Sequence, residues 1–380
     1  MINLNQAATT WPKPACVLKS MMAALSSPPP GQFRSGAGRD GADALEDTRR
    51  LLACILGIDS PSRIFFASGA TDAANALIRG LPLAGKRVLA SQTEHNSVLR
   101  PLMNLKDHVG KVDIIPCDEN GTVSPETVSA MLEEPAAAVF INHCSNVTGA
   151  IQNLPALSEV VHRKGALLIV DVAQSAGCLP VCADAWGADA LIVTGHKGLF
   201  GPQGTGAYYV RNGIPLKPFR YGGTGRNSSQ LLYTEADYEY EPGTQNFPGI
   251  AALGEGIRYC LSIGVEKIMQ QERCLIQRLR EGLAAIPGVH VYANTLAETG
   301  PVLSFTLAGL SPADLAYMLS GSYDIRVRAG LHCAPLIHQA MGTEKEGTLR
   351  VSLSALTRKE EIDQFLTALR EIAEASEVRP

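Results

Sequence analysis

Lys197 lies in Thr194-Gly195-His196-Lys197, directly after the apolar run Ala190-Leu191-Ile192-Val193, and Asp171 closes another apolar run twenty-six positions upstream. An amine and a carboxylate at the ends of neighbouring strands can do covalent carbonyl chemistry. The amine condenses with an aldehyde, and the acid holds a proton on a heterocyclic nitrogen so that the ring draws electrons from whatever is attached to it. A lysine after a strand is ordinarily solvated surface, so the pair acquires meaning only if other segments supply the rest of such a site.

Those segments depend on the elements that carry them. From about residue 63 to 210 short apolar runs alternate with helix-like stretches: Arg63–Ala67, Arg87–Ala90, Val112–Ile115, Ala137–Ile141, Leu167–Val170 and Leu191–Val193. The alternation predicts an α/β fold with a mostly parallel sheet, helices on both faces and ligands at the carboxyl ends of the strands. Gly204–Val210 follows too closely for a helical crossover and is expected to run antiparallel as a seventh strand. Beyond about Phe247 the pattern shifts to a long helical stretch through Leu283. Strands near Val302–Phe305 and Thr348–Val351 and a closing helix follow, a smaller α+β domain. The expected division is a large domain over residues 12–248 and a small one over 249–380 that also takes in residues 1–11. Thr357 and Glu360 have capping-box spacing ahead of the last helix, and Ser26-Ser27-Pro28-Pro29-Pro30-Gly31 marks an early loop.

With 380 residues, 46% hydrophobic content and a formal charge of −4, the chain has the material for a large core and no basic stripe for nucleic acid. No apolar stretch approaches the ~18 residues of a membrane span, and Met1-Ile2-Asn3-Leu4-Asn5 lacks a cationic leader start, so residence in the cytoplasm is expected. The nine cysteines form neither a disulfide framework nor a Cys-x-x-Cys pair, and no metal site is expected even at Cys178 and Cys182. Two glycine patterns are coincidental. Gly36-Ala37-Gly38-Arg39-Asp40-Gly41 follows a proline-rich loop where a dinucleotide motif needs a strand, and Gly80 through Lys86 leads into a strand where a P-loop needs a helix.

Ser68-Gly69-Ala70-Thr71 follows a strand and opens a helix, so its backbone N–H groups and the Thr71 hydroxyl suit a phosphate; a plain capped helix start would look the same. Thr194 and His196, flanking the lysine, add donors. His95, in Thr93-Glu94-His95-Asn96, belongs to the same sheet edge, where an imidazole can lie against an aromatic ring. Asn146 and Gln174 are neutral hydrogen-bonding groups suited to a phenolic oxygen. Together these parts describe a pyridoxal phosphate site.

The ordered set resembles the fold-type I pyridoxal phosphate enzymes, and within them the class V aminotransferase group that includes cysteine desulfurases and selenocysteine lyases. The resemblance runs from Asn5-Gln6-Ala7-Ala8-Thr9-Thr10 through the segments above to Glu241-Pro242-Gly243-Thr244. It implies that Lys197 binds the cofactor aldehyde, Asp171 pairs with the ring nitrogen and His95 stacks on the ring. Asn146 and Gln174 would face the ring oxygen, and Ala70, Thr71, Thr194 and His196 the phosphate. Gly243-Thr244 would reach the phosphate of a second subunit, implying a homodimer.

Arg328-Ala329-Gly330-Leu331-His332-Cys333-Ala334-Pro335 is similar to the Arg-x-Gly-His-His-Cys-Ala segment of the second desulfurase group. The likeness casts Cys333 as the nucleophile that takes sulfur from L-cysteine as a persulfide and leaves L-alanine, and makes a sulfur-acceptor protein a partner. Arg350, with Arg328, would hold the substrate carboxylate. Two positions depart from the pattern. Asn5-Gln6 stands where many members have Asp-Asn, and Leu331 replaces a histidine, an apolar change that disfavours a thiolate unless a cation is near. L-selenocysteine is an alternative substrate. A C–S lyase or aminotransferase with an incidental Cys333, or a non-catalytic binding subunit, would keep the same scaffold.

Overall fold

The computed structural model describes residues 1–27, 40–105, 107–223, 229–235 and 238–377. The proline loop from Pro28 and the glycine run from Gly36 to Arg39 lie outside the described residues; Asp40 and Gly41 belong to the helix Asp40–Leu56.

Strand β1 (Ile2–Asn3) precedes a seven-stranded sheet built from β2 (Ile64–Ala67), β3 (Arg87–Ser91), β4 (Lys111–Ile115), β5 (Ala138–Asn142), β6 (Leu167–Asp171), β7 (Ala190–Thr194) and β8 (Gly206–Val210). Their order is β2-β8-β7-β6-β5-β3-β4. The β3–β4, β3–β5, β5–β6 and β6–β7 pairs are parallel. As the short 195–205 connection requires, β8 runs antiparallel to both of its neighbours.

Alternate residues of each strand feed different cores, as the pleat dictates. Val139 and Ile141 join Leu168, Val170, Leu191 and Val193 against helices carrying Leu52, Leu157 and Leu253. Ala138 and Phe140 join Ile169, Ile192 and Tyr208 against helices carrying Leu77, Val98 and Leu102. Each large apolar side chain buried this way contributes roughly 1.5–3 kcal/mol, which explains why the inner strands read as unbroken apolar runs. After β3 the chain turns outward to β4 and then returns to place β5 on the other side of β3. Such a reversal opens a crevice at the carboxyl ends.

The smaller sheet is antiparallel, in the order β12-β13-β10-β9, from β9 (Val289–Val291), β10 (Val302–Leu307), β12 (Arg328–Gly330) and β13 (Thr348–Ser352). Strand β11 (Ile325–Arg326) pairs with β1 in parallel. Leu4 enters the same core as Phe305, Leu349 and Phe365, which ties the first residues to this sheet.

Two sequence expectations need correction. A boundary at residue 248 cuts the helix Phe247–Ile263, whose Ile250, Leu253 and Ile257 pack in the large-sheet core. We propose that the large unit extends through this helix to Gly264, where φ of 91° breaks the helical run. The capping box is displaced by one residue: Glu361, not Glu360, accepts from the Arg358 N–H at 2.8 Å, and the Thr357 hydroxyl accepts from the Ser354 N–H.

On the helix Val265–Ala284, Glu272 is buried with Oε2 unpartnered, and burial pushes its carboxyl well above the ordinary range. A raised carboxyl binds its proton more tightly folded than unfolded. Its contribution is therefore intact below the unfolded pKa and lost as pH rises toward the folded one. Glu272→Gln should match the parent near pH 4 and gain on it by about 1.4 kcal/mol per pH unit above ~4.3 until the folded carboxyl ionises. Urea denaturation across pH 4–8 measures this, and parallel stability curves would contradict it.

Candidate active site

The carboxyl ends of β2, β3, β5, β6 and β7 converge on a cavity of about 290 Å³ lined by Ala70, Thr71, His95, Asn146, Asp171, Gln174, Thr194, His196, Lys197, Arg328 and Arg350, among others. These expected residues come from segments up to 280 positions apart (70 to 350), and the sheet brings them to one place. Thr244 is exposed and outside the cavity of the single chain. Cys333 is half-buried beside the cavity, its Sγ 3.0 Å from the Arg328 Nη2 donor.

Asp171 ends β6, and its Oδ1 accepts from the Ala173 N–H at 2.8 Å. Burial pushes its carboxyl up, while that bond and the Lys197 charge oppose the shift. Lys197 is lowered to about 8, first by burial and then by Arg350 and Arg328, with Asp171 and Cys333 pulling the other way. A depressed amine has more of its free-base form near neutrality, as attack on a carbonyl requires. The loop holding it is braced from behind: Thr10 Oγ1 donates to the Lys197 carbonyl at 3.0 Å, and Lys13 Nζ to the His196 carbonyl at 2.9 Å.

His95 caps the helix Asn96–Asn104, its Nδ1 accepting from the Ser97 N–H at 3.0 Å, which assigns the ring proton to Nε2. Burial and the cations Lys197, Arg328 and Arg350 lower it to about 3, so the ring is neutral. His196 is likewise lowered to about 4, mainly by burial.

Thr194 Oγ1 and His196 Nδ1 are buried without hydrogen-bond partners. Both residues line the cavity next to the N-terminus of the helix Ala70–Gly80. Unsatisfied buried donors next to a helix N-terminus suit an anion such as a phosphate. Gly69 permits this approach because its φ of 150° excludes an ordinary side chain.

Arg350 is fully buried on β13, paired across the sheet with Arg328. Burial and Arg328 lower it to about 9, which leaves it charged at neutral pH. Nη2 donates to Asn5 Oδ1 and Nη1 to the Asn146 carbonyl, each at 3.0 Å, while Nε is free. Asn5 thus touches the guanidinium without neutralising it, where an aspartate would pair with it. The cation beside the Cys333 sulfur is Arg328. His332 does not serve Cys333: it is buried, lowered to about 2 mainly by burial and Arg350, and its Nε2 bonds to Thr348.

Glu94 had no signal in the sequence beyond its place in the Thr93–Asn96 run. It is fully buried with Oε2 unpartnered, and burial and the nearby Asp171 push it well above the carboxylate range. Of these two acids Glu94 takes the proton, because Asp171 lies beside the Lys197 charge, while the donors to Glu94, Ser91 Oγ at 3.2 Å and the Asn142 backbone, are neutral. Asn142, at the end of β5, bonds to Thr93 and lines the cavity, another residue the sequence did not single out. Among the described residues no group of three or more His, Cys, Asp or Glu side chains is arranged to hold a metal, and no helix is long and apolar enough to cross a membrane.

A family model for aminotransferase class-V matches residues 2–365. The chain belongs to this family. Its relatives include a probable cysteine desulfurase of Methanothermobacter thermautotrophicus, 30% identical over 381 aligned positions that cover 97% of this chain and 94% of the relative. A probable cysteine desulfurase of Mycolicibacterium paratuberculosis is 32% identical over 342 positions, covering 87% of this chain and 49% of that longer protein. The apo cysteine desulfurase structure from Thermococcus onnurineus NA1 superposes with a TM-score of 0.88 at 29% identity, covering 98% of this chain and 95% of that one. The class-V fold is thus shared along the whole length.

Asp171→Asn removes the charge that holds the Lys197 amine up, so this lysine should lose its proton at a pH below about 8. Labelling with trinitrobenzenesulfonate at stepped pH, followed by peptide mapping, should show the Lys197 midpoint moving down. An unchanged midpoint would remove Asp171 from the electrostatics of the lysine.

Proposed function

We propose that this class-V chain is a cysteine desulfurase that uses pyridoxal 5′-phosphate, and that the arrangement carrying the reading is a half-buried thiol, Cys333, held by Arg328 beside the Lys197–Asp171 cavity. The family is pyridoxal phosphate-dependent, and the names of the relatives agree with the sulfur chemistry. The residues present fit the group. Thr194, His196, Ala70 and Thr71 would offer donors to a phosphate, Asp171 would pair with a pyridine nitrogen, His95 is a neutral ring in the wall, and Gln174 and Asn146 are among the other lining residues. When bound, the cofactor supplies an aldehyde and an electron-withdrawing ring.

The residues of the chain divide the remaining work. Lys197 provides an amine with a lowered pKa that can form a covalent link and move protons. Arg350, with its Nε free, binds the substrate carboxylate, worth about 1.5–3 kcal/mol per charged contact. Arg328 aims N–H at sulfur and stabilises negative charge there. In the overall reaction the C–S bond of L-cysteine breaks and an S–S bond to Cys333 forms. The hydrogen balance is closed by a proton on the new methyl group of L-alanine, so a thiol and a substrate become a persulfide and an amino acid with no external oxidant.

The exposed Thr244 supports a homodimer in which Gly243-Thr244 serves the partner site, and nine free thiols suit a reducing compartment, the cytoplasm. A sulfur-acceptor protein would collect the persulfide, and L-selenocysteine would use the same contacts. One observation favours a second reading, a C–S lyase or aminotransferase: Cys333 is not itself among the cavity-lining residues. Keto acid in place of alanine would select that reading.

Borohydride reduction of cofactor-supplemented protein should tag Lys197 in peptide maps, and a tag on Lys13, the other lysine lowered to about 8 by burial, would overturn the assignment. Cys333→Ala should retain bound cofactor, read by absorbance, and lose persulfide formation by on the order of 100-fold or more; unchanged persulfide would exclude this thiol. Asn5→Asp should pair with Arg350 and raise KM for L-cysteine on the order of tenfold, about 1.4 kcal/mol, while an unchanged KM would detach Arg350 from the carboxylate.

A further inference from the structure

The turn that carries Cys333 is strained. His332 and Cys333 adopt φ of 51° and 59° in succession, a left-handed conformation that neither side chain favours. Such a turn persists only when its surroundings hold it, and three bonds do so. The Ala334 N–H closes it onto the Leu331 carbonyl at 2.9 Å, and the Asn96 N–H, in the first turn of the helix Asn96–Asn104, donates to the Cys333 carbonyl at 2.7 Å. The third comes from a side chain: Asn146 Nδ2 donates to the His332 carbonyl at 2.7 Å, in a buried setting.

Asn146 is itself rigidly placed. The Ser145 hydroxyl accepts from the Val147 and Thr148 N–H groups at 3.2 Å, and Ser304 Oγ donates to the Val147 carbonyl at 2.7 Å. The Asn146 carbonyl accepts from Arg350 Nη1 at 3.0 Å. The residue therefore joins the guanidinium expected to bind the substrate carboxylate to the backbone that presents the thiol. One of its two side-chain N–H groups is spent on the turn, and Oδ1 is left without a partner.

We propose that Asn146 is a positioning residue for Cys333: its amide holds the His332 carbonyl, keeps the strained turn closed, and so fixes the sulfur against Arg328 beside the cavity. The proposal rests on the desulfurase reading for its kinetic consequence, but the holding of the turn stands independently of it. A residue that served only the cofactor would leave the turn unaffected. A residue that served only packing would be replaced without kinetic effect by an isostere.

The test uses the full-length protein with cofactor bound, comparing wild type with Asn146→Ala and with Asn146→Asp, which keeps the shape and removes the donor. Hydrogen-exchange mass spectrometry on peptides containing Asn96 and Ala334 should show slow exchange in the wild type and at least tenfold faster exchange in both variants. With L-cysteine, kcat per bound cofactor, with the cofactor read by absorbance, should fall at least tenfold in both variants. Variants that lose the absorbance but keep wild-type exchange at the turn would overturn the proposal and assign Asn146 to the cofactor alone. Should neither variant fold, the wild type decides: exchange at Asn96 and Ala334 as fast as in an open loop would overturn it equally. If the wild type yields keto acid instead of alanine, the desulfurase reading fails, and the exchange result still reports whether Asn146 holds the turn.

Discussion

The site depends on keeping an amine and a carboxylate in useful protonation states where burial penalises both charges. Each group limits the cost of the other: the Asp171 charge raises the Lys197 amine, and the lysine lowers the acid. Neither effect survives much displacement, because the attraction falls with separation and with every water admitted between the groups. Adjacent parallel strands meet this demand. β6 and β7 pair Asp171 with Ile192, so the acid leaves the sheet beside the strand whose extension carries the lysine. A second acid close by could have undone the balance, but Glu94 is the member of that pair that holds the proton.

Much of this was legible in the residues. Runs such as Leu167–Val170 gave the strands because strands covered on both faces need apolar side chains on both sides of the pleat. The 195–205 spacing gave the reversal of β8. Lys197, Asp171, His95 and the Ser68–Thr71 turn were visible because each follows such a run within about five residues, and chain order alone locates strand ends. Arg350 was legible only through family likeness, since periodicity treats a strand arginine as solvated while this one is fully buried. Glu94 and the Asn146 contact with His332 were not legible. Both depend on tertiary neighbours at sequence separations that no local pattern encodes, 186 residues in the case of the Asn146 bond. The displaced capping box and the helix Phe247–Ile263 show the same limit: propensity marks an element, and packing decides its ends and its allegiance.

The two departures from the family pattern acquire physical content from their surroundings. Asn5 accepts one hydrogen bond from Arg350 and supplies no charge, so the guanidinium keeps its full attraction for an anion. Leu331 removes a titratable ring, while the Arg328 guanidinium already stands 3.0 Å from the sulfur. The Cys333 sulfur thus has an arginine beside it and not a protonatable ring, in keeping with histidines held neutral at 95, 196 and 332.

The contact between Asn5 and Arg350 joins positions 345 residues apart. On the ribosome, the large sheet can be complete in sequence long before position 350 emerges, and the wall of the pocket that carries Arg328 and Arg350 is supplied last. Assembly of the two walls of the cavity is therefore separable in time. A nascent chain can acquire the strand ends that carry Asp171 and Lys197 first, and the buried guanidinium that closes the opposite wall joins them only after nearly all of it has been translated.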